Sequence, residues 1–172
     1  RDIADQLQSA ASLDVRVTIP EGWRMEQTAA KLASELQISE AALLEEMRQR
    51  PEGYLFSDFL PADASCEGFL FPDTYSFSPG TSADEAVAAM LSNFETRLTE
   101  ELVVGFLAQE LSIYEAVVLA SVIEREAVVS EERPQIAGVF LNRLDRQMKL
   151  ETDPTVQYAI GQQADGRWWK QQ

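Results

Sequence analysis

LASVIEREAVVSEERPQIAGVFLNRLDRQMKLETDPTVQYAIG, residues 119–161, contains two helical segments and then a turn, and it decides the fold of the second half of the chain. The first segment carries Glu124 in an otherwise apolar helix. At 100° per residue, five apolar side chains lie within about 60° of Glu124: Ile113, Val117, Ala120, Ala127 and Val128. Burial disfavours the charged form of a carboxylate, so this pattern predicts a proton-carrying acid. Cleavage of a glycosidic bond requires such a group.

A second interpretation of Glu124 stays open on the same residues. Buried acids are rare unless they are paired, and Arg133, Arg143 or another cation would serve as the partner of a purely structural carboxylate. Glu126 points to nearly the opposite side of the helix, on a face shared with Leu119 and Val122, so we expect partial burial there as well.

Composition excludes several classes of function. The 172 residues carry a formal net charge of −15, which argues against nucleic-acid binding and against electrostatic docking on anionic lipid. The chain has no His and a single Cys, Cys66. Ser–His and Cys–His catalysis and an intramolecular disulfide are therefore excluded, and we expect no metal site and no cofactor. No apolar run approaches the ~18–20 residues of a transmembrane helix. Because the chain begins at Arg1, we expect a processed protein or a piece of a longer one.

The first half of the chain reads as a small α+β unit. Residues 1–12 resemble the tail of a helix, and residues 13–19 alternate apolar and polar side chains as a half-buried strand does. Two helices are predicted at 24–36 and 40–49, the second capped by Ser39. An aromatic stretch, 69–77, begins as a second strand in which Pro72 indicates an edge or an early stop.

The second half is predicted to be helical after Pro79-Gly80. Ser82 with Glu85, and Ser112 with Glu115, form capping boxes for helices at 83–98 and from 113 onward. Single capping residues predict two further helices, Thr99 for 100–109 and Ser130 for 131–146, the latter with Pro134 in its first turn. The turn Thr152-Asp153-Pro154 predicts a last, short helix that ends at Gly161. The predicted fold class is α+β.

Five blocks of sequence carry a family resemblance: VTIPEGW (17–23), EGFLFPDTY (67–75), LASVIEREA (119–127), VFLNRL (139–144) and LETDPTVQY (150–158). In this order they resemble the YceG-like family, the endolytic murein transglycosylases. The resemblance implies a LysM-like subdomain with a preceding helix at 1–78 and a partial, mainly helical catalytic domain at 79–172. The family normally continues well beyond the last block, so we expect part of the substrate cleft to lie outside this chain.

The resemblance also implies an activity and a location. The family cleaves peptidoglycan glycan strands between N-acetylmuramic acid and N-acetylglucosamine, leaving a 1,6-anhydro-muramyl end. Its catalytic Glu falls on Glu124 here, acting as a general acid and then as a base. The implied location is the cell membrane, through a single-pass N-terminal anchor absent from this chain, with the catalytic part on the extracytoplasmic side. The expected partners are glycan strands and cell-wall synthases such as penicillin-binding proteins, with no nucleic acid.

Several side chains are candidates for placing the sugar in such a reaction: Glu67, Asn142, Asp153, Thr155, Gln157 and Tyr158. Each also has a structural interpretation, because Glu67 and Asp73 suit a turn, Asp153 and Thr155 suit a helix cap, and Asn142 suits a link between helices. Tryptophans that could stack on sugar rings are Trp23, Trp168 and Trp169.

Two other functions compete with the lytic one. The chain could be a non-catalytic peptidoglycan-binding module that serves as a scaffold for cell-wall synthases. It could also be an ordinary hydrolase that pairs Glu124 with Glu126 or Asp153, in which case the distance between the carboxylates would set the stereochemistry. The opposite orientations of Glu124 and Glu126 on one helix argue against that pair.

Overall fold

The computed structural model describes residues 14–168, so the helix expected at 1–12 and Trp169 lie outside the described residues. The described part is a mainly helical α+β structure. Its elements are β1 (Val15–Thr18), α1 (Met25–Leu36), α2 (Glu40–Arg48), β2 (Thr74–Phe77), α3 (Ala83–Arg97), α4 (Glu100–Ala108), α5 (Ile113–Glu126), α6 (Arg133–Asp145) and α7 (Asp153–Ile160), with 3₁₀ turns at Ser57–Phe59 and Ser130–Glu132. The predicted fold class and the strand–helix–helix–strand order are confirmed.

The chain divides into two compact units, the first ending at Val104 and the second beginning at Gly105. This division describes packing alone, so the expected subdomains at 1–78 and 79–172 stay a prediction. In the described part no single helix is long and apolar enough to cross a membrane, although the bent pair α4 and α5 taken together has the required length and composition.

In the first unit β1 and β2 form an antiparallel pair, in which Val15 lies opposite Phe77 and Thr18 opposite Thr74. The second strand is shorter than the stretch 69–77 suggested, because it begins only after Pro72. Proline has no N–H to donate to a strand ladder. The residues before it serve the core instead, since Phe69 is buried.

The core of the first unit is aromatic at its centre. The ring of Phe69 stacks on that of Phe56 at a centroid distance of 5.3 Å, and Phe94 meets the two rings edge-on at 5.1 and 5.0 Å. Offset stacks and edge contacts at this range are the favoured aromatic geometries. Fully buried aliphatic residues of α1, α2 and α3 complete the core: Leu32, Leu43, Met47, Val87 and Met90.

Local capping sets most helix starts. The Ser82–Glu85 and Ser112–Glu115 capping boxes are formed, and the Thr99 hydroxyl accepts the N–H of Leu102 at 3.3 Å. The predicted cap at Ser130 is wrong. Residues 130–132 make a 3₁₀ turn, α6 begins at Arg133 with Pro134 in its first turn, and the side chain of the preceding residue, Glu132, makes no cap hydrogen bond.

The second unit has a small core in which α5 packs against both α6 and α7. Its buried centre is formed by Leu119, Val122 and Phe140, and Ile123, Ile136, Leu141 and Leu150 pack around it. The buried face of α5 therefore consists of Ile113, Ala116, Leu119 and Val122. This face decides where the acidic residues of the helix point.

Candidate active site

Glu124 lies at the edge of the buried face of α5, in the last turn of the helix. Its side chain is 34% exposed. The apolar stripe around it is unevenly covered, since Ile113 is buried while Ala120 is exposed and Val128 is 76% exposed. The apolar neighbours therefore leave Glu124 partly buried. The core of the second unit covers a different side of α5, where Phe140 of α6 packs against Leu119 and Val122. These two residues point a third to a half turn away from Glu124 around the helix axis.

Glu124 forms an ion pair with Arg133. The guanidinium Nη2 atom donates to Oε1 of the carboxylate at 2.9 Å and lies 2.7 Å from Oε2. The Arg133 side chain is 41% exposed. The structural interpretation of Glu124 named Arg133 as one possible partner, and this contact is formed. The other cation considered, Arg143, is engaged elsewhere.

Arg133 owes its position to the backbone on either side of it. The 3₁₀ turn Ser130–Glu132 follows α5 and leads directly into α6, of which Arg133 is the first residue. Pro134 follows it at a position where a missing N–H costs nothing. The Nε atom of Arg133 is buried and has no hydrogen-bond partner among residues 14–168. A buried N–H of this kind calls for an explanation.

Two further charged residues of α5 flank Glu124. Burial lowers the pKa of the Arg125 guanidinium, and the Glu124 carboxylate partly offsets this by raising it. Arg125 thus responds to the charge of Glu124. Glu126 is half-buried, as expected. Residues two positions apart on a helix differ by about 200° in direction, so Glu124 and Glu126 do not converge on one bond.

The Thr152-Asp153-Pro154-Thr155 turn starts α7, which packs on α5. Thr155 donates its hydroxyl to the Thr152 carbonyl at 2.8 Å, and Asp153 is exposed. Thr152 is buried, and its hydroxyl has no hydrogen-bond partner in the described residues and makes no cap bond. Asp153 and Thr155 were predicted from the sequence as candidates but Thr152 was not, so this buried hydroxyl was missed as a candidate for ligand contact.

The remaining candidates of the second unit lie on α6 and α7. Asn142 is exposed and donates its amide to the Gly138 carbonyl at 2.7 Å, one turn back on its own helix. Gln157 is half-buried and Tyr158 is exposed. Asn142 also lines a shallow groove of about 270 Å³ with Val139, Arg143, Arg146 and Met148.

Arg143 organises the chain that leads into α7. Its Nη1 atom donates to the carbonyls of Lys149 and Leu150 at 2.9 and 3.1 Å and to the Glu151 carboxylate at 3.0 Å. A guanidinium that holds backbone carbonyls fixes the loop between two helices. Arg143 is therefore a structural residue of this region.

Glu67 belongs to the first unit, where it holds the start of α1. Its Oε2 atom accepts the backbone N–H of Met25 at 3.1 Å. Burial raises the pKa of the Glu67 carboxyl above its ordinary value, although the Met25 N–H opposes this. The hydrogen bond to Met25 agrees with the interpretation of Glu67 as a residue that organises the local structure.

Asp73 and Cys66 also have structural surroundings. Asp73 accepts the Thr74 N–H at 2.7 Å, and Asn93 and Arg97 approach its other oxygen at 3.1 and 3.3 Å. These contacts, led by the Thr74 N–H, lower the pKa of Asp73. Burial raises the pKa of the Cys66 thiol to about 12, so it is not an activated nucleophile. Trp23 and Trp168 are half-buried.

Comparisons with known proteins cover the whole chain. A family model described as the YceG-like family matches residues 1–172. A relative named endolytic murein transglycosylase from Bacillus subtilis is 33% identical, and the match covers 87% of this chain and 45% of that protein. A relative of the same name from Streptococcus pneumoniae is 31% identical, and that match covers 84% of this chain and 29% of the relative.

One solved structure extends the comparison to the fold. The crystal structure of a yceG-like protein from Listeria monocytogenes matches 99% of this chain and 59% of its own, with a TM-score of 0.77 and 28% sequence identity. The chain spans less than half the length of the two curated relatives. The sequence comparisons and the structural comparison thus identify the same group of proteins.

Proposed function

Because the chain belongs to the YceG-like family, we propose that it is part of a peptidoglycan lytic transglycosylase with Glu124 as the proton-transferring residue. The observation that carries the proposal is the family match over the whole chain, combined with a solvent-accessible carboxylate in the last turn of α5. The relatives named endolytic murein transglycosylase support the same activity.

The proposed reaction needs one carboxyl group. Protonated Glu124 donates to the oxygen of the bond between N-acetylmuramic acid and N-acetylglucosamine, and the N-acetylglucosamine leaves with a restored 4-hydroxyl. The Glu124 carboxylate then takes the proton of the muramic acid 6-hydroxyl, whose oxygen closes on C1. The glycan strand ends in a 1,6-anhydro ring, no water is consumed, and Glu124 regains its proton.

A single carboxylate suffices because the substrate supplies its own nucleophile. Ordinary glycosidases need a second carboxylate as nucleophile or to activate water, and the divergent directions of Glu124 and Glu126 do not provide that pair. General acid–base transfer contributes roughly 10²–10⁴-fold in rate. The remainder must come from placing the sugar. We propose that several side chains of the second unit position it, namely Asn142, Asp153, Thr155, Gln157 and Tyr158. Glu67 is proposed to contact glycan from the LysM-like subdomain.

The proposed setting follows from the same family membership. We propose a protein of the cell membrane whose catalytic part faces the extracytoplasmic side, held by a single-pass anchor outside this chain. Its substrate is the glycan strand of peptidoglycan, which it cleaves internally, and cell-wall synthases are its proposed partners. Trimming or terminating nascent strands would place it beside those enzymes.

The deciding experiment digests purified peptidoglycan with the full-length protein and identifies the products by mass spectrometry. Glu124→Gln keeps the shape of the side chain but cannot transfer the proton, and Glu126→Gln is the matched control on the same helix. We expect anhydro-muramyl products from wild type and E126Q and none from E124Q.

Other outcomes separate the competing functions. Products that carry an added water indicate a hydrolase. Anhydro products that persist in E124Q assign the proton transfer to another residue. Binding of glycan without any product from wild type supports the non-catalytic module, an interpretation that the Glu124–Arg133 ion pair also fits.

A further inference from the structure

The ion pair between Glu124 and Arg133 conflicts with the role of Glu124 as a proton donor. A general acid must hold a proton when it donates, but both Glu124 oxygens lie within hydrogen-bond distance of the Arg133 Nη2 atom, at 2.9 and 2.7 Å. Both side chains are partly exposed, and ion pairs of this kind are weak enough to open readily in water. The free protein therefore holds the carboxylate in a pair that a ligand can break.

Substrate binding changes the environment of both partners. A glycan strand lying over Glu124 displaces water from its surroundings. Arginine keeps its charge under all ordinary conditions, and a charge removed from water without a partner is strongly unfavourable. The Arg133 Nε atom is already buried and without a hydrogen-bond partner among the described residues. Once Glu124 is protonated, Arg133 therefore needs another anion.

We propose that Arg133 recognises a carboxylate of the substrate and exchanges Glu124 for it. In the free protein one guanidinium faces one carboxylate. In the complex the substrate carboxylate pairs with Arg133, Glu124 takes one proton from water, and the net charge of the two side chains and the bound carboxylate is zero. The planar guanidinium fork suits a carboxylate. This inference rests on the proposed function, because it supplies the proton that Glu124 donates.

The charged groups near Glu124 favour Arg133 for this exchange. Arg125, on the same helix, is partly buried and has interactions of its own. On α6, Arg143 is engaged with Lys149, Leu150 and Glu151, and Asp145 is exposed at the end of the helix. On α7, the charged residue at the helix start is Asp153, which is an anion itself. Arg133 lies within hydrogen-bond reach of Glu124.

Peptidoglycan has two sources of carboxylate. One is the lactyl group of muramic acid where the stem peptide has been removed, and the other is the stem peptide itself. Three ligands distinguish them: N-acetylglucosaminyl-N-acetylmuramic acid with a free lactyl group, the same disaccharide carrying a stem peptide, and chitobiose, which has no carboxylate. None of them contains the scissile bond, so binding is observed without turnover.

The test is isothermal titration calorimetry of the full-length protein in buffers of different ionisation enthalpy, which measures the protons taken up on binding. We expect uptake of about one proton with a carboxylate-bearing ligand and none with chitobiose. The ligand that shows uptake identifies the source of the carboxylate. In parallel, inhibition of glycan cleavage should be at least tenfold stronger for that ligand than for chitobiose, a readout that does not depend on tight binding.

Substitutions assign the effect to the two residues. R133Q should abolish both the proton uptake and the preference for the carboxylate, and R133K should retain part of each. E124Q should abolish the uptake and keep the preference. R167Q, which removes an exposed ion pair with Asp165, is the control and should change neither. A carboxylate preference or an uptake that survives in R133Q, or an equal uptake with chitobiose, overturns the exchange.

The outcomes for the exchange and for the lytic activity can be told apart. Anhydro products from wild type, together with no proton uptake by any ligand, overturn the exchange and leave the lytic activity intact. Proton uptake that depends on Arg133, in a protein that yields no anhydro products, supports the carboxylate site and overturns the activity instead.

Discussion

The Oε2 atom of Glu67 accepts a 3.1 Å hydrogen bond from the backbone N–H of Met25, 42 residues earlier in the chain. Met25 is the first residue of α1. The first N–H groups of a helix have no partner within it, and a carboxylate there also interacts favourably with the helix dipole. Glu67 therefore ties the loop before β2 to the start of α1.

Replacing Glu67 with Ala should destabilise the first unit. The substitution removes the acceptor of the Met25 N–H, which is comparable to the loss of a helix cap and costs about 1–2 kcal/mol. E67Q retains a side-chain oxygen and should lose less. Urea unfolding followed by circular dichroism measures both. If E67A unfolds like wild type while its binding to glycan weakens, Glu67 acts in substrate binding rather than as an anchor.

The Glu67 anchor should also depend on pH. Burial raises the pKa of Glu67 above its ordinary value of 4.5, so the folded state binds this proton at higher pH than the unfolded state does. The part of the stability that depends on this bound proton is therefore fully present below pH 4.5 and is lost as the pH rises through the raised pKa. The difference in unfolding free energy between E67Q and wild type should shift in favour of E67Q across that range.

Unfolding of wild type and E67Q by urea at closely spaced pH values, starting below pH 4.5, measures this difference. Glu21→Gln, at an exposed glutamate of the same unit, is the control. If the difference in unfolding free energy between E67Q and wild type stays constant with pH, a pKa of Glu67 raised by burial is contradicted.

Phe69→Ala should be among the most damaging substitutions in the first unit. Phe69 is 1% exposed and contacts the rings of Phe56 and Phe94. Removing a buried phenylalanine leaves a cavity and typically costs about 3–5 kcal/mol. Phe59→Ala, at a side chain that is 51% exposed, should cost far less. Thermal unfolding distinguishes them, and similar melting temperatures for the two variants would show that the aromatic cluster is not the centre of this core.

Helix starts could be predicted from sequence because their signals are local. Ser112 and Glu115 are three residues apart, and both bonds of their capping box are formed within one turn. The same reasoning failed at Ser130, where a 3₁₀ turn intervenes before α6. In the sequence, Ser130 suits a helix cap and a turn before the helix equally well.

The environment of Glu124 could not be predicted, because it depends on distant residues. An apolar helix offers several faces to a core, and the one that is buried is chosen by Phe140 and its neighbours on α6. Periodicity in α5 contains no information on that choice. The sequence also offered several cations as partners, and only the turn after α5 selects Arg133.

Stability and chemistry at Glu124 can be separated by measurement. Its ion pair with Arg133 joins side chains that are 34% and 41% exposed, and solvent screening limits such pairs to at most about 1 kcal/mol. E124Q should therefore unfold within about 1 kcal/mol of wild type, and added salt should reduce the difference. Urea unfolding at low and high salt measures this difference in unfolding free energy, with E126Q as the control.

If Glu124 has only a structural role, E124Q should instead lose much of its stability, and that loss should account for any loss of activity. A stable E124Q protein that yields no anhydro products leaves proton transfer as the role of Glu124.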